Sequence, residues 1–335
     1  MDKIAVVILN WNGTKLLEQF LPSIVQYSQE ATVYVADNAS TDDSIAFVKA
    51  NFPTIKIIEN DDNYGFAKGY NEALKNINAA IFALVNSDIE VTELWLKAIL
   101  EMFESEPETV IIQPKILDFK NKEYFEYAGA AGGFIDQYGY AYCRGRIFET
   151  LEKDSGQYDD NCELFWASGA CFFIRSSVYR NNNGFDEDFF AHQEEIDLCW
   201  RVFNKGLKIK YNSASVVYHV GGATLQLGNP KKTYLNFRNS LFMLIKNVPR
   251  KSLFKVLFVR MILDGIAGAK FLFEGQFKHL LAVLKAHYSV YSQFFYFHKK
   301  REKTQMKKYY NLKSIVYLYY LKNVKVFQNI RTFKL

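Results

Sequence analysis

Four apolar, β-branched runs, each closed by polar residues, do most to limit the folds open to this chain of 335 residues. The runs are Ile4–Leu9, Thr32–Ala36, Ile55–Ile58 and Ile81–Val85. They end in Asn10-Trp11-Asn12-Gly13, Asp37-Asn38, Glu59-Asn60 and Asn86-Ser87-Asp88. Segments of helical spacing alternate with them: Thr14–Gln26, Asp42–Asn51, Phe66–Ile77 and Thr92–Phe103. Ser40 and Thr41 before Asp42-Asp43, and Thr92 before Glu93, read as helix N-caps with acids in the first turn. Such alternation predicts an α/β fold, a mainly parallel sheet covered by helices. Ligands of such sheets bind at the carboxyl ends of the strands, near a reversal of strand order. The polar strand ends therefore mark the expected site.

Beyond Pro107 the pattern is less regular, with a Gly-rich stretch and a long loop near 150–162, and a mixed extension of the sheet is expected as far as Val220. From Tyr234 onward long apolar and aromatic helices follow, broken by single charges. The predicted division is a catalytic body over 1–230 and an amphipathic helical extension over 231–335. A hydrophobic content of 49% against 23% charged residues provides a large core and argues against disorder. Cys143, Cys162, Cys171 and Cys199 form no CxxC pair, which argues against a zinc ribbon or disulfide framework and for a reducing compartment. The first residues read as a strand rather than an export signal, and no uncharged apolar stretch approaches the ~18 residues that span a bilayer.

The net charge of +5 hides an asymmetry. Residues 299–335 hold eleven Lys and Arg against one acid, Glu302, which leaves −5 on the rest. Cations interleaved with aromatics there point to a membrane interface, with a helical cap or a homo-oligomer contact as the competing reading. Nucleic acid is not an expected partner.

Individual residues carry chemistry only in combination. Asp37 at a strand end suits a hydrogen bond to a base or ribose, and equally a turn. Asp88, leaving a buried strand, suits a divalent cation held against phosphates. Glu194, Glu195 and Asp197 form an acidic cluster on which one carboxylate can act as general base while the others pair with Arg201 or cap a helix. His219 becomes a third metal ligand only if Asp88 is near; alone it reads as structural. No GxGxxG follows the first strand, and no P-loop or Gly-x-Ser-x-Gly elbow occurs, which argues against dehydrogenase, P-loop and hydrolase chemistry.

The order of the blocks is more telling. VVILNWNG (6–13), VADNASTDDS (35–44), NDDNYGFAKGYNEAL (60–74), ALVNSD (83–88), WASGACFFIRSSVY (166–179), GFDEDFFAHQEEIDLCWR (184–201) and YHVGGAT (218–224) together make the chain resemble the family 2 glycosyltransferases, in the branch with rhamnosyltransferases. The resemblance implies a GT-A fold and an inverting, metal-dependent transfer of rhamnose or another hexose. The donor would be a dTDP- or UDP-linked sugar and the acceptor a glycan or lipid-linked hydroxyl, in cell-surface polysaccharide synthesis. The cysteine usage and the basic-aromatic tail suit a cytoplasmic enzyme, peripheral on the inner face of the plasma membrane. By the same resemblance Asn10, Trp11, Asn12 and Asp37 would line the nucleoside pocket, and Asn63, Gly65, Phe66 and Asn71 would shape the sugar-nucleotide cleft. Asp88, with Asn86 and His219, would hold Mg²⁺ or Mn²⁺. Glu195 would be the base, with Glu194 as alternate. Ser168, Gly169 and Ala170 would lie between donor and acceptor, with Asp197 and Arg201 on the acceptor side. The rival readings are an inactive nucleotide-sugar-binding module and a sugar nucleotidyltransferase.

Overall fold

A computed structural model describes residues 2–221 and 228–333. The strands are β1 (Asp2–Asn10), β2 (Thr32–Asp37), β3 (Lys56–Glu59), β4 (Ala79–Asn86), β5 (Ile89–Val91), β6 (Thr109–Asp118), β7 (Gly133–Ile135), β8 (Ala141–Cys143), β9 (Arg146–Ile147), β10 (Thr150–Leu151), β11 (Cys162–Leu164), β12 (Cys171–Arg175) and β13 (Lys208–His219). The helices are α1 (Thr14–Tyr27), α2 (Ser44–Asn51), α3 (Gly65–Lys75), α4 (Trp95–Ser105), α5 (Ser176–Asn181), α6 (Glu194–Asn204), α7 (Pro230–Asn247), α8 (Leu253–Phe273) and α9 (Phe277–Lys299).

The main sheet runs β11-β13-β6-β12-β4-β1-β2-β3, with β5 paired to β13. Neighbours β3, β2, β1 and β4 are parallel, while β12 runs antiparallel between β4 and β6. Chain order reverses at β1, because β2 and β3 lie on one side of it and β4 on the other. The ends of β1, β2 and β4 thus converge where the switch-point rule places a ligand.

Both faces of the sheet are covered, which is why the strands read as continuous apolar runs. Ile4, Val6 and Ile8 of β1 pack with Leu17, Leu21 and Ile24 of α1 and Trp95 and Ile99 of α4. Ala5 and Val7 face the other way, into the core that holds Tyr70 of α3 and Trp200 of α6. That second core continues into Leu241–Ile245 of α7 and Phe297 of α9, so the C-terminal helices share the body's interior.

Two expectations need correction. Thr92 does not cap α4: its hydroxyl donates to Val216 O at 2.7 Å, and the helix opens at Trp95 after Leu94 in the left-handed region (φ 62°). Nor does Ser40 or Thr41 cap α2, which begins at Ser44 after Asp43. Ser40 is engaged instead by the end of β2. The irregular middle contains a second small sheet, β10-β9-β8-β7. Part of the basic tail packs on that sheet, with Leu312, Ile315, Leu318 and Tyr319 buried against Tyr142 and Ile147. Ile315 N donates to Asp136 Oδ2 at 2.9 Å, and Tyr309 Oη donates to the carbonyl of Gln137 at 2.6 Å.

Candidate active site

The carboxyl ends of β1 and β2 are built from backbone turns. Asp37 is 2% exposed: one carboxylate oxygen accepts from Asn10 Nδ2 (2.8 Å) and Ser40 Oγ (2.6 Å), the other from Ser40 N (2.8 Å). Its carboxylate therefore shapes the loop after β2. Asn12, in the left-handed region at φ 51°, accepts from Thr41 N at 2.7 Å and ties the β1 and β2 loops together. Trp11 stands beside them 48% exposed, with its indole open to a ligand. Asn10 is buried, and its Oδ1 has no hydrogen-bond partner.

The start of α3 forms the next wall. Asn63 Oδ1 accepts from Gly65 N at 3.0 Å. Gly65 adopts φ +71°, and a Cβ there would lie 2.7 Å from the ring of Phe190 and 2.8 Å from its carbonyl, so only glycine fits. Phe66 N donates to that carbonyl at 2.8 Å. Asn71 is a clamp: its Oδ1 accepts from Tyr179 Oη and Phe185 N, and its Nδ2 donates to Phe185 O. It shapes the cleft only by holding segment 184–190 against α3.

Asp88 lies in the turn between β4 and β5. Register brings His219 to it, because His219 at the end of β13 pairs with Ile89. His219 Nε2 is 3.1 Å from Asp88 Oδ1, and Nδ1 is 3.1 Å from Glu126 Oε1. Burial would lower the imidazole pKa, but Glu126 and Asp88 outweigh it and raise it to about 10. A histidine oriented by one carboxylate and facing another fits the usual surroundings of a metal-binding imidazole. Among the described residues no cluster of three or more His, Cys, Asp or Glu makes a complete cage. An Asp–His pair still fits Mg²⁺ or Mn²⁺, which use few protein carboxylates and complete their shell with phosphate oxygens and water. Asn86 reaches the other wall by its backbone, donating to Ala170 O at 2.9 Å.

That hydrogen bond links the end of β4, beside Asp88's turn, to segment 168–170. Ser168 is buried and fixed through its N–H to Gln113 Oε1 at 2.8 Å. Next to it, a Cβ on Gly169 would lie 3.7 Å from the Glu195 carboxyl carbon and 3.4 Å from the Phe66 ring. Glu195 and the Asp88 turn thus border one strip of chain, Gly169-Ala170. Both acids of the pair are poorly solvated. Burial raises the Glu195 pKa to about 7, against backbone hydrogen bonds at the helix start that lower it. Glu194 is 4% exposed and is pushed well above the carboxylate range by burial and by Glu195. Glu195, partly accessible, is the one at the cleft.

Asp197 and Arg201 sit elsewhere. Asp197 is fully buried and accepts from Arg201 Nε (2.9 Å), Lys246 Nζ (2.7 Å) and Asn247 Nδ2 (2.8 Å). Arg201 also reaches the carbonyls of Asn182 and Gly184. These groups fasten α6 to α7 and, being buried, are spent on packing rather than offered to a ligand. Asp197→Ala would leave two buried cations short of a partner and is expected to cost about 3–5 kcal/mol. Urea unfolding checks this, and an unchanged midpoint would contradict it.

Glu126, Gln113 and Asn239 had no sequence signal, and Phe190 was marked only by its place in the block 184–201. Asn239 Nδ2 donates to the carbonyls of Phe189, Ala191 and His192, at 2.8–2.9 Å, and so holds the loop entering α6. In the block YHVGGAT, positions 222–224 lie outside the described residues.

The comparisons bear on the family and the fold. The glycosyl transferase family 2 pattern matches residues 5–181. The N-acetylglucosaminyl-diphospho-decaprenol L-rhamnosyltransferase of Mycobacterium tuberculosis is 23% identical over 67% of this chain and 78% of its own. The low-salt glycan biosynthesis hexosyltransferase Agl10 of Haloferax volcanii is 20% identical over 84% and 88%. Among solved structures, the mannosyltransferase PcManGT of Pyrobaculum calidifontis, in complex with GDP-Man and Mn²⁺, has a TM-score of 0.52 at 14% identity, over 87% of this chain and 75% of that one. GalNAc-T7 with UDP, GalNAc and Mn²⁺ has a TM-score of 0.58 at 13% identity over 74% of this chain, which spans about half (48%) of that protein's length. These structures carry the fold, the GT-A one, and the family pattern covers more than half of the chain. With a mixed, mainly parallel sheet of that fold and a match over residues 5–181, the chain belongs to glycosyl transferase family 2.

Proposed function

We propose that the protein is an inverting glycosyltransferase. It moves rhamnose or another hexose from a dTDP- or UDP-linked donor to a hydroxyl of a glycan or lipid-linked acceptor in cell-surface polysaccharide synthesis. The observation that carries this reading is the placement of a carboxylate with a pKa of about 7 beside the Gly169-Ala170 strip that Asp88 borders from the other side. The names of the relatives support the sugar and acceptor classes.

Each residue then has a task. Trp11 and the loop held by Asp37 receive the nucleoside, and Phe66 with Gly65 borders the sugar. Glu195 takes the proton of the acceptor hydroxyl as that oxygen attacks the anomeric carbon from the side opposite the diphosphate. Asp88 and His219, the latter oriented by Glu126, are the residues that would hold Mg²⁺ or Mn²⁺. Such a cation supplies positive charge against the leaving diphosphate. The acceptor side is read as facing the inner surface of the plasma membrane, where α8 and α9 expose Phe254, Phe258, Ile266, Phe273 and Phe295. No helix among the described residues is long and apolar enough to cross a bilayer.

Thermal unfolding with a panel of nucleotide sugars and Mn²⁺ tests the donor assignment. At a hundredfold excess over Kd the true donor is expected to stabilise the fold by about 2.7 kcal/mol, and non-donors by much less. Product NMR is expected to show the anomeric configuration opposite to the donor's. Retained configuration, or no stabilisation by any nucleotide sugar, overturns the proposal.

A further inference from the structure

Between the N-terminal half of α7 and the middle of α9 lies an open groove of about 550 Å³. Three of its nine lining residues are the lysines Lys231, Lys278 and Lys285, and none is acidic. Leu281 and Ala282 form an apolar floor, and the phenols of Tyr234 and Tyr288 stand at its sides. Among the described residues, none of the three ammonium groups has a carboxylate within salt-bridge distance, whereas Lys115, Lys210 and Lys246 are each paired with a carboxylate. Lysines gathered over an apolar floor without counter-charge fit an anion attached to a hydrophobic body.

Two connections set what that anion is. Lys231 Nζ lies 5.1 Å from the centroid of the Phe190 ring, and Phe190 packs on Gly65 at the wall of the cleft. The groove therefore adjoins the sugar-transfer site on the side of Glu195's loop. On its other side it continues into the α8–α9 hairpin, where Leu272, Phe273, Phe277, Leu281, Leu284 and Phe295 are exposed. Over 250–301 the chain holds ten Lys and Arg against two acids, and one of those, Asp264, is buried with Arg260. A second copy seated here would set cations against cations, so self-association is disfavoured and an anionic lipid surface favoured.

We propose that the α7–α9 groove binds the phosphate groups of a membrane lipid, with the lipid's chain running along the hairpin into the bilayer. Resting on the glycosyl-transfer reading, this makes the groove the subsite for the diphosphate of a polyprenyl-linked acceptor, whose sugar then reaches Glu195.

The test uses the full chain and phosphatidylcholine vesicles doped with either a polyprenyl diphosphate or phosphatidylglycerol. Flotation is expected for both. Replacing Lys231, Lys278 and Lys285 together with Gln should weaken binding to the diphosphate vesicles by roughly a hundredfold. The triple Arg variant should restore it. Loss confined to the diphosphate vesicles identifies the acceptor subsite. Equal loss on both dopants retains the phosphate groove but assigns it to bulk headgroups. Unchanged flotation of the Gln variant on both overturns the proposal. The three side chains are exposed, so folding is checked simply by an unaltered melting curve. Because flotation needs no catalysis, the proposal can fail while the transferase reading stands, and the reverse.

Discussion

Glu195→Gln is expected to reduce sugar transfer by about 10²–10⁴-fold while donor binding persists. The amide keeps the shape of the side chain next to Gly169 but cannot take a proton. In the parent protein kcat/KM should rise as pH climbs through about 7, because the base works only when ionised and its pKa lies there. The variant should lack that limb. The stability effect has the opposite sign. Burial holds the folded-state pKa near 7, above the 4.5 of an ordinary glutamate, so the folded chain binds this proton more tightly. Stability is therefore lost as pH rises from 4.5 to 7, and stays lost above. Gln carries no charge, so the variant should be more stable than the parent at pH 8, by on the order of 3 kcal/mol. Transfer at the parental rate, or a variant less stable at pH 8, would remove Glu195 from its role.

Asp88→Ala is expected to cost about 10³-fold in transfer, and with it the additional stabilisation that Mn²⁺ gives in the presence of the donor nucleotide. The variant without nucleotide should itself melt below the parent, because the buried His219 loses one of its two carboxylates, so the readout is the Mn²⁺-dependent shift of each protein relative to its own melting temperature without the cation. His219 then faces an alanine and keeps only Glu126. A Mn²⁺-dependent shift of parental size in this variant would place the cation elsewhere.

The sheet was legible because its strands are buried on both faces. A run such as Ala-Val-Val-Ile-Leu needs no partner to be read as a strand, and β1, β2 and β4 extend only one to three residues past the predicted ends. Short strands such as Arg146–Ile147 carry no period and were not legible. Helix starts misled where a polar residue had a tertiary partner: Thr92 is satisfied by Val216, which no local rule reveals. The same limit applies at the site. The spacing of Asp197 and Arg201 suggests a pair on one helix face, but their burial depends on Lys246 and Asn247, about fifty residues away. Glu126 meets His219 only through the register of β13 beside β6. Asn239 reads as an ordinary polar helix residue until three carbonyls of the preceding loop are found around it.

The Asp197 cluster also fixes a height. Lys246 bonds Asp186 as well as Asp197, and Lys300 at the end of α9 bonds Asp186 and Asp188, so the far end of the hairpin and the loop entering α6 are bolted to the same carboxylates. A chain resting on a bilayer through α8 and α9 would accordingly carry its proton acceptor at a constant elevation above the headgroups. Only those sugars that project from the lipid to that elevation would be reached, so the scaffold would measure acceptor length before any pocket inspects acceptor identity.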